Sequence, residues 1–132
     1  MYTIRLYTIH DYPMLQGWWK AAEEPEPSKE MLPEDTTYIM EYNDVPILSV
    51  CLYLTNCNEF CDADCFIGNP EFAGEVRQIG AIKIVEFLEH SAKRLGYKKI
   101  RAFAYKDKLK EYYPNLGFKK TVDNVASFVK EL

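Results

Sequence analysis

Alternating hydrophobic and polar residues predict strands in the first half of the chain. Residues 2–8 and 60–68 alternate, residues 37–42 form a further predicted strand, and residues 46–55 form a long apolar run. Asn43 and Asp44 separate the second and third of these segments in chain order, and such a pair is typical of a tight turn, so we expect a hairpin there. Because residues 46–55 are almost entirely apolar, we expect this strand to be central and buried.

Apolar residues at helical spacing predict two clear helices. The first follows Asp11 and Pro13, residue types that suit the start of a helix. Its apolar positions are Met14, Leu15, Trp18 and Trp19. The second follows Gly74 and is expected to end at Gly96, since glycine readily terminates a helix. Its apolar positions are Val76, Ile79, Ile82, Val85, Leu88, Ala92 and Leu95.

The remaining segments complete an alternating order of elements. A charged, proline-containing loop occupies 23–30, and a short helix is expected to end near residues 31–33. Further on we expect a strand at 99–105, a helix at 107–115, a strand at 117–122, a turn at 123–124 and a last strand at 126–132. The order β-α-(α)-β-β-β-α-β-α-β-β contains no repeat and no boundary, which predicts one α/β (α+β) domain over residues 1–132.

Composition narrows the possible functions. The chain has 132 residues, of which 48% are hydrophobic, and 16 basic residues stand against 20 acidic ones. A net charge of −4 argues against a nucleic-acid-binding protein. No apolar run approaches the roughly 20 residues that span a membrane. The N-terminus has no signal-peptide pattern, so we expect a cytoplasmic protein without a membrane partner.

Charge is distributed unevenly along the sequence. Residues 23–44 contain eight acidic residues and one basic residue, whereas residues 93–120 contain ten basic residues and two acidic ones. The basic region suits an anionic ligand such as a phosphate-bearing cofactor, or is simply a solvated surface. The acidic region suits a cationic ligand, or is a solubilising loop.

Four cysteines lie close together, at positions 51, 57, 61 and 65. On a strand the last three would share one face, but successive members would lie roughly 13 Å apart. That separation is too large for a single metal ion, so we expect buried thiols and no metal site. The alternation in 60–68 places two groups of side chains on opposite faces. One face carries Cys61, Ala63, Cys65 and Ile67, and the other carries Asp62, Asp64 and Phe66.

Two segments resemble a known family. Residues 66–100, FIGNPEFAGEVRQIGAIKIVEFLEHSAKRLGYKKI, are similar to the central strand, cofactor loop and long helix of the GNAT superfamily, the acyl-CoA-dependent N-acetyltransferases. Residues 102–120, AFAYKDKLKEYYPNLGFKK, are similar to its following strand, short helix and Y-x-x-x-G-F element. The chain also resembles short phage-encoded GNAT-like proteins with a DYP…WW helix. The resemblance implies a mixed, mostly antiparallel central sheet with helices on both faces.

The same resemblance implies a site for acetyl-CoA, the donor substrate. The family's cofactor loop reads Q/R-x-x-G-x-G/A, and residues 77–82 match it up to Gly80 but end in Ile82. A second register uses residues 74–77. The strand is expected to offer main-chain groups to the pantetheine arm, and the helix N-terminus to bind the pyrophosphate. The expected cofactor-binding residues are Phe66, Ile67, Gly68, Gly74, Glu75, Val76, Arg77, Gln78 and Gly80. The alternative for Arg77 and Gly80 is an ordinary helix surface and a packing glycine.

Catalytic roles follow from the resemblance and from the chemistry of direct transfer to an amine. Tyr113 occupies the tyrosine position of the Y-x-x-x-G-F element and is expected to protonate the leaving thiolate, while Tyr112 is expected to point elsewhere. Asp62 and Asp64 are the candidate bases, because two neighbouring carboxylates raise the pKa of one of them. An aromatic packing role for Tyr113 and a solvated strand face for the two aspartates are the alternatives.

The amine acceptor is expected to be a small molecule or a protein, and a homodimer is compatible with the family. The acceptor site is expected to be built by the helix carrying Trp18 and Trp19, the acidic 23–35 loop and the last hairpin. The alternative function is a catalytically inactive GNAT-fold binding protein or phage accessory protein, with the two tryptophans as its contact surface. A nucleic-acid role for the 93–120 region is disfavoured by the negative net charge.

Overall fold

A five-stranded sheet forms the centre of the molecule. In the computed structural model, residues 1–104, 107–123 and 125–132 are described, with side chains for all of these except 107–109. The strands are β1 (Tyr2–Leu6), β2 (Thr37–Tyr42), β3 (Val45–Tyr53), β4 (Phe60–Gly68) and β5 (Lys99–Ala102). They lie side by side in chain order, which makes the long apolar β3 the middle strand, as predicted.

Three helices flank this sheet. They are α1 (Tyr12–Ala21), α2 (Glu75–Arg94) and α3 (Asp107–Asn115), and short 3-10 turns lie at Ile9–Asp11 and Lys29–Met31. The predicted starts at 12 and 75, and the stop at Gly96 with φ 95°, are confirmed. Among the described residues, no helix has the length and apolar character needed to cross a membrane.

The β2–β3 hairpin turns at Asn43 and Asp44, as predicted. Their φ angles of 48° and 67° lie in the left-handed region. Two such residues in succession match the right-handed twist of the strands they join, and asparagine and aspartate tolerate this conformation better than most residues. The hairpin pairs Tyr42 with Val45, and a bulge between Met40 and Glu41 then shifts the register so that Met40 faces Leu48.

The two faces of the sheet carry separate hydrophobic cores. The α1-side core contains Tyr7, Tyr12, Leu15, Trp18, Trp19, Leu32, Ile39 and Ile67. The α2-side core contains residues of α2 and of β2, β3 and β4, among them Leu48, Leu52, Cys61, Ile84 and Leu88. Helices on both faces are thus confirmed. Since Trp18 and Trp19 are 6% and 2% exposed, they stabilise the core and do not form the contact surface that the alternative function required.

Strand β4 contains a bulge that reverses the alternation of its side chains between the two faces of the sheet. Opposite β3, Asp64 faces Cys51 but Ile67 faces Ser49, so two residues of β4 oppose one residue of β3. The extra residue is Cys65, whose φ of 55° is left-handed. Beyond this bulge the faces exchange: Phe66 packs on the α2-side core with Cys61 and Ala63, while Ile67 packs on the α1-side core. The predicted alternation is therefore wrong from residue 65 onward, and the cysteines do not share one face.

The two strands predicted at 117–122 and 126–132 are wrong. No strand occurs within residues 116–123 or 125–132 of the described chain, and every side chain described from 119 onward is exposed. An alternating pattern forms a strand only when one face is buried against other elements, and in these two segments only Phe118 of the described residues is partly buried. The strand predicted at 99–105 ends at Ala102, while Tyr105, and Asn124 of the predicted turn, lie outside the described residues.

Tyr7 provides a test of the α1-side core. Its side chain is 2% exposed and its hydroxyl has no hydrogen-bond partner in the described part of the chain. A buried unsatisfied hydroxyl is destabilising, so Tyr7→Phe is expected to raise the free energy of unfolding by about 1 kcal/mol. Tyr12 is the matched control, because its hydroxyl donates to the Pro27 carbonyl at 2.6 Å. Tyr12→Phe should lower the free energy of unfolding; urea denaturation of both variants measures the difference, and a destabilised Tyr7→Phe would contradict the assignment.

Candidate active site

The edge of β4 that faces β5 is uncovered over its second half. The parallel β4–β5 pairing runs from Phe60 opposite Lys99 to Ala63 opposite Ala102 and then ends. On its other edge β4 stays paired with β3 as far as Gly68. Residues 64–68 therefore have no strand partner on the β5 side within the described residues, and we call this stretch the open edge. It includes Phe66, Ile67 and Gly68, the strand residues predicted to bind the cofactor.

The open edge leads directly to the N-terminus of α2. Asn69 fixes the connection, because its main chain donates to the Ile47 carbonyl at 2.8 Å and its side chain donates to the Pro46 carbonyl at 2.9 Å. Gly74 precedes the helix with φ 66° and ψ −141°, a conformation that glycine adopts without strain. The hydroxyl of Tyr2 donates to the Val76 carbonyl at 3.0 Å and thereby ties the first helical turn to β1.

The first turn of α2 has the properties of an anion site. The main-chain N–H of Gln78 donates to the Gly74 carbonyl at 3.0 Å, so the N–H groups of residues 75–77 precede the first helical bond. These groups and the positive end of the helix dipole favour negative charge. Glu75 and Gln78 are exposed, so Glu75 does not close the site.

Arg77 connects this turn with the open edge. A Cβ added to Gly68 would overlap the guanidinium of Arg77, so the arginine lies directly against the strand at a position where only glycine leaves room. Its Nη1 also donates to the Phe72 carbonyl at 3.4 Å. The side chain is half-buried, and it brings a positive charge to the point where strand and helix meet.

Gly80 is a point of close contact between α2 and β3. It is buried, and a Cβ there would lie 2.8 Å from Cδ1 of Ile47 and 3.3 Å from Cδ1 of Leu48. The absent side chain lets α2 approach β3 closely. These contacts favour the alternative, a packing glycine, over the predicted cofactor-binding role.

The two predicted bases have different surroundings. Asp62 lies opposite Arg101 across the β4–β5 pair and accepts from its Nε at 2.8 Å and from its Nη2 at 3.2 Å. The hydrogen bond with Asp62 raises the pKa of Arg101. Asp64 lies where the β5 pairing has ended, and its Oδ1 accepts the main-chain N–H of Cys65 at 2.6 Å. Asp62 is thus held in an ion pair, whereas the Oδ2 of Asp64 has no partner among the described residues.

The two adjacent tyrosines of α3 face different neighbours. Tyr112 is half-buried and meets Phe66 of the open edge edge-to-face, with ring centroids 6.2 Å apart. Burial raises the pKa of Tyr112, and the positive charge of Arg77 partly offsets this. Tyr113 instead packs on Phe118 at 5.3 Å and lines a cavity of about 610 Å³ beside the end of β5. As predicted, Tyr112 points elsewhere than Tyr113, and it is Tyr112 that contacts the open edge.

A cluster of two thiols and a phenol lies at the bulge, and sequence reasoning missed it. The hydroxyl of Tyr53 lies 3.4 Å from Sγ of Cys65 and 2.8 Å from the Met31 carbonyl. Cys51 lies beside this pair, and its Sγ donates to the Asp64 carbonyl at 3.4 Å. The only sequence signal was the closely spaced cysteines, which were considered as metal ligands. No group of three or more His, Cys, Asp or Glu side chains suited to a metal occurs in the described ranges.

Comparison with known proteins identifies the fold that carries this arrangement. No family model matches the sequence, and no curated protein is similar to it in sequence. Solved structures do match. Glucosamine-6-phosphate N-acetyltransferase from Arabidopsis thaliana superposes with a TM-score of 0.66 at 17% identity, covering 98% of this chain and 99% of that one. The chain has the GNAT fold.

Further GNAT structures extend the comparison. AAC(6')-Iy, solved with the bisubstrate analogue CoA-S-monomethyl-acetylneamine, matches with a TM-score of 0.70 at 15% identity, covering 100% of this chain and 99% of that one. N-acetylglutamate synthase from Neisseria gonorrhoeae, solved with coenzyme A and L-arginine, matches with a TM-score of 0.77 at 16% identity. That match covers 96% of this chain, which spans only 29% of the synthase.

Proposed function

We propose that this protein is an N-acetyltransferase that takes an acetyl group from acetyl-CoA and delivers it to an amine. The observation that carries the proposal is the open edge of β4, which Arg77 from the anion site at the start of α2 contacts at Gly68. An uncovered strand edge offers main-chain hydrogen bonds to the amide-bearing pantetheine arm, and a helix N-terminus offers them to a pyrophosphate. The fold similarity to N-acetyltransferases solved with CoA or a CoA analogue supports this reading.

This arrangement sets the direction in which acetyl-CoA lies along the open edge. The pyrophosphate lies at residues 74–77, with Arg77 as its cationic partner, and the pantetheine arm follows Gly68, Ile67 and Phe66 toward the bulge. The thioester is thereby brought to Asp64 and Cys65, where β4 and β5 part. Main-chain N–H groups of the open edge stabilise the oxyanion that forms when the thioester carbonyl is attacked.

Two side chains are proposed to move protons. Asp64 accepts the proton of the amine, since its Oδ2 is unengaged and the carboxylate of Asp62 is held by Arg101. Tyr112 donates a proton to the departing CoA thiolate, because it contacts the open edge and its raised pKa keeps the phenol protonated. Tyr113 stays a prediction of the family resemblance for the same role.

The acceptor is proposed to be a cationic amine, either a small molecule or one presented by a protein. The acidic 23–35 loop reaches the bulge at Met31, whose carbonyl accepts from Tyr53 beside Cys65. Glu30, Glu34 and Asp35 of this loop are exposed. Their charge attracts amines that are protonated in solution.

Calorimetric titration with acetyl-CoA tests the proposal, followed by a screen of polyamines, aminoglycosides and lysine peptides for CoA release. Micromolar binding and turnover of an amine are the expected results. Absence of binding at millimolar acetyl-CoA would contradict the proposal and favour a GNAT-fold protein without transferase activity.

Arg77→Ala is expected to weaken acetyl-CoA binding by about tenfold, the effect of losing one charge-assisted hydrogen bond. Calorimetry measures the dissociation constant. Arg94→Ala is the matched control, since Arg94 is exposed at the opposite end of α2 and should leave the affinity unchanged. Equal affinities in the two variants would place the pyrophosphate elsewhere.

A further inference from the structure

Strand β5 ends the sheet, and its outer edge, the one turned away from β4, has no strand partner among the described residues. The main-chain N–H and C=O groups along such an edge are a template for a further strand. Within the described residues, a cavity of about 190 Å³ lined by residues 97–100 and one of about 610 Å³ lined by residues 100–104 lie against β5. Both cavities include Ile100 and Phe118 in their walls, and we call the combined space the β5 groove.

Residues 125–132 carry apolar side chains that nothing in the described chain covers. Phe128, Val129 and Leu132 are each at least 90% exposed, and Val125 is 63% exposed. Large apolar side chains that are exposed together mark a surface that contacts another protein. In an extended conformation Phe128 and Leu132 lie on one face and Val125 and Val129 on the other, a pattern typical of a strand that is covered on both sides.

The 125–132 segment and the β5 groove match in length and in charge. Each follows eight residues of chain, 125–132 and 97–104, which is roughly 26 Å in an extended conformation. The end of the groove at residues 97–99 is basic, because three lysines and one acid line it: Lys93, Lys98, Lys99 and Glu89. An antiparallel alignment brings Glu131 of the segment to this end, where opposite charges on neighbouring strands stabilise the pairing.

The segment does not occupy the groove of its own chain. Residues 125–127 form part of the wall of the larger cavity, whereas Phe128, Val129 and Leu132 line neither cavity. An edge without a strand and an apolar segment without a cover therefore occur in one chain. A two-fold pair of chains satisfies both at once, because each copy can place its segment on the other.

The residues just before the segment are held beside α3. Asp123 pairs with Lys110 of α3 at 3.4 Å and with Lys120 at 3.6 Å. These ion pairs fix the point from which the segment leaves its own chain, so it can reach a second copy without any rearrangement of the sheet.

We propose that two copies of this chain associate by exchanging residues 125–132, each segment adding as an antiparallel strand to the outer edge of β5 in the other copy. Main-chain hydrogen bonds to β5 hold the segment in place. Its apolar side chains are buried in the β5 groove, and Glu131 lies beside the lysines at the 97–99 end. The association does not depend on the proposed enzymatic function.

Light scattering after size exclusion tests the association on the full chain. The expected mass is twice the 15.4 kDa of one chain. Phe128→Glu is expected to give the mass of a single chain, because it places a charge in the apolar groove. Leu6→Glu is the matched control and should stay dimeric, since Leu6 is 50% exposed on β1, at the opposite edge of the sheet. A monomeric full chain, or a dimer that survives Phe128→Glu, would overturn the proposal.

Cross-linking distinguishes exchange from a segment that folds onto its own β5. Unlabelled and isotope-labelled chains are mixed in urea, refolded together and treated with a carbodiimide, which joins carboxylates to neighbouring amines. The expected products join Glu131 to Lys98 or Lys99, and half of them contain one labelled and one unlabelled partner. Glu59 provides an internal control, because its ion pairs with Lys98 at 3.8 Å and Lys99 at 3.9 Å lie within one chain and must give unmixed products.

Two cross-linking results would contradict the exchange. If the Glu131 products were all unmixed, the segment would lie on the β5 of its own chain. If Glu131 formed no product with the lysines of the groove while Glu59 did, the segment would dock elsewhere.

Discussion

Replacing Tyr112 with phenylalanine is expected to lower kcat by about 100-fold, the loss typical of a missing general acid. The ring is retained, so its contact with Phe66 and the packing of α3 on the sheet should persist. Only the hydroxyl that is proposed to protonate the CoA thiolate is lost. Steady-state kinetics with a saturating amine measure kcat, and calorimetry should return the same acetyl-CoA affinity as in the unmodified protein.

Tyr113→Phe is the matched control for this prediction. Tyr113 packs on Phe118 beside the end of β5, whereas Tyr112 packs on Phe66 of the open edge, so the Tyr113 variant is expected to keep most of its activity. A large loss in Tyr113→Phe with a small one in Tyr112→Phe would return the role to the tyrosine that the family resemblance implies. Because burial raises the pKa of Tyr112, the fall of kcat at alkaline pH should come above the ordinary tyrosine value of about 10.

The order of elements up to α3 could be predicted because each has a local signal. Asn43 and Asp44 suit the hairpin, Gly74 and Gly96 bound α2, and the uninterrupted apolar β3 is the middle strand. These signals act within a few residues, so the sequence contains them directly. The two C-terminal strands were predicted from alternation alone, and alternation does not determine whether a partner surface is present.

The site was only partly predictable from sequence, because its geometry depends on the backbone conformation of one residue, Cys65. The bulge at Cys65 exchanges the two faces of β4, yet the segment around it contains no glycine or proline to announce a left-handed residue. The grouping of Tyr53, Cys51 and Cys65 depends on that bulge and on the pairing of two strands. By contrast, Gly74 and Arg77 were found because a helix N-terminus and its first turn are readable from sequence.

Gly68 of β4 and Gly80 of α2 show that sequence alone does not define the role of a glycine. Gly80 matches the cofactor loop in sequence, but a Cβ there would lie 2.8 Å from Cδ1 of Ile47 and 3.3 Å from Cδ1 of Leu48 in the middle strand. Gly68 was predicted for its main-chain groups, yet its lack of a side chain is also what lets Arg77 lie against the strand. Both positions are glycine in the sequence, which does not distinguish between them. Only the neighbouring side chains distinguish close helix packing from a cofactor site.

Gly80→Leu is accordingly expected to destabilise the protein by about 3 kcal/mol while leaving acetyl-CoA affinity unchanged. The first carbon of the new side chain would already lie 2.8 Å from Cδ1 of Ile47, and Ile47 and Leu48 are fully buried. The remaining carbons have no space unless α2 moves away from β3. Urea denaturation measures the loss of stability. Calorimetry at low temperature, without urea, measures the affinity for acetyl-CoA.

Gly17→Leu separates the packing effect from helix propensity. Gly17 lies in α1, is exposed, and a Cβ there would meet no atom within 4 Å. Replacing a helical glycine with leucine in open space should stabilise the protein by about 0.5–1 kcal/mol. The same gain is available at position 80, so the difference between the two variants measures the cost of forcing α2 and β3 apart. If Gly80→Leu instead kept its stability and lost affinity for acetyl-CoA, Gly80 would belong to the cofactor cradle after all, and the anion site would extend one turn further along α2.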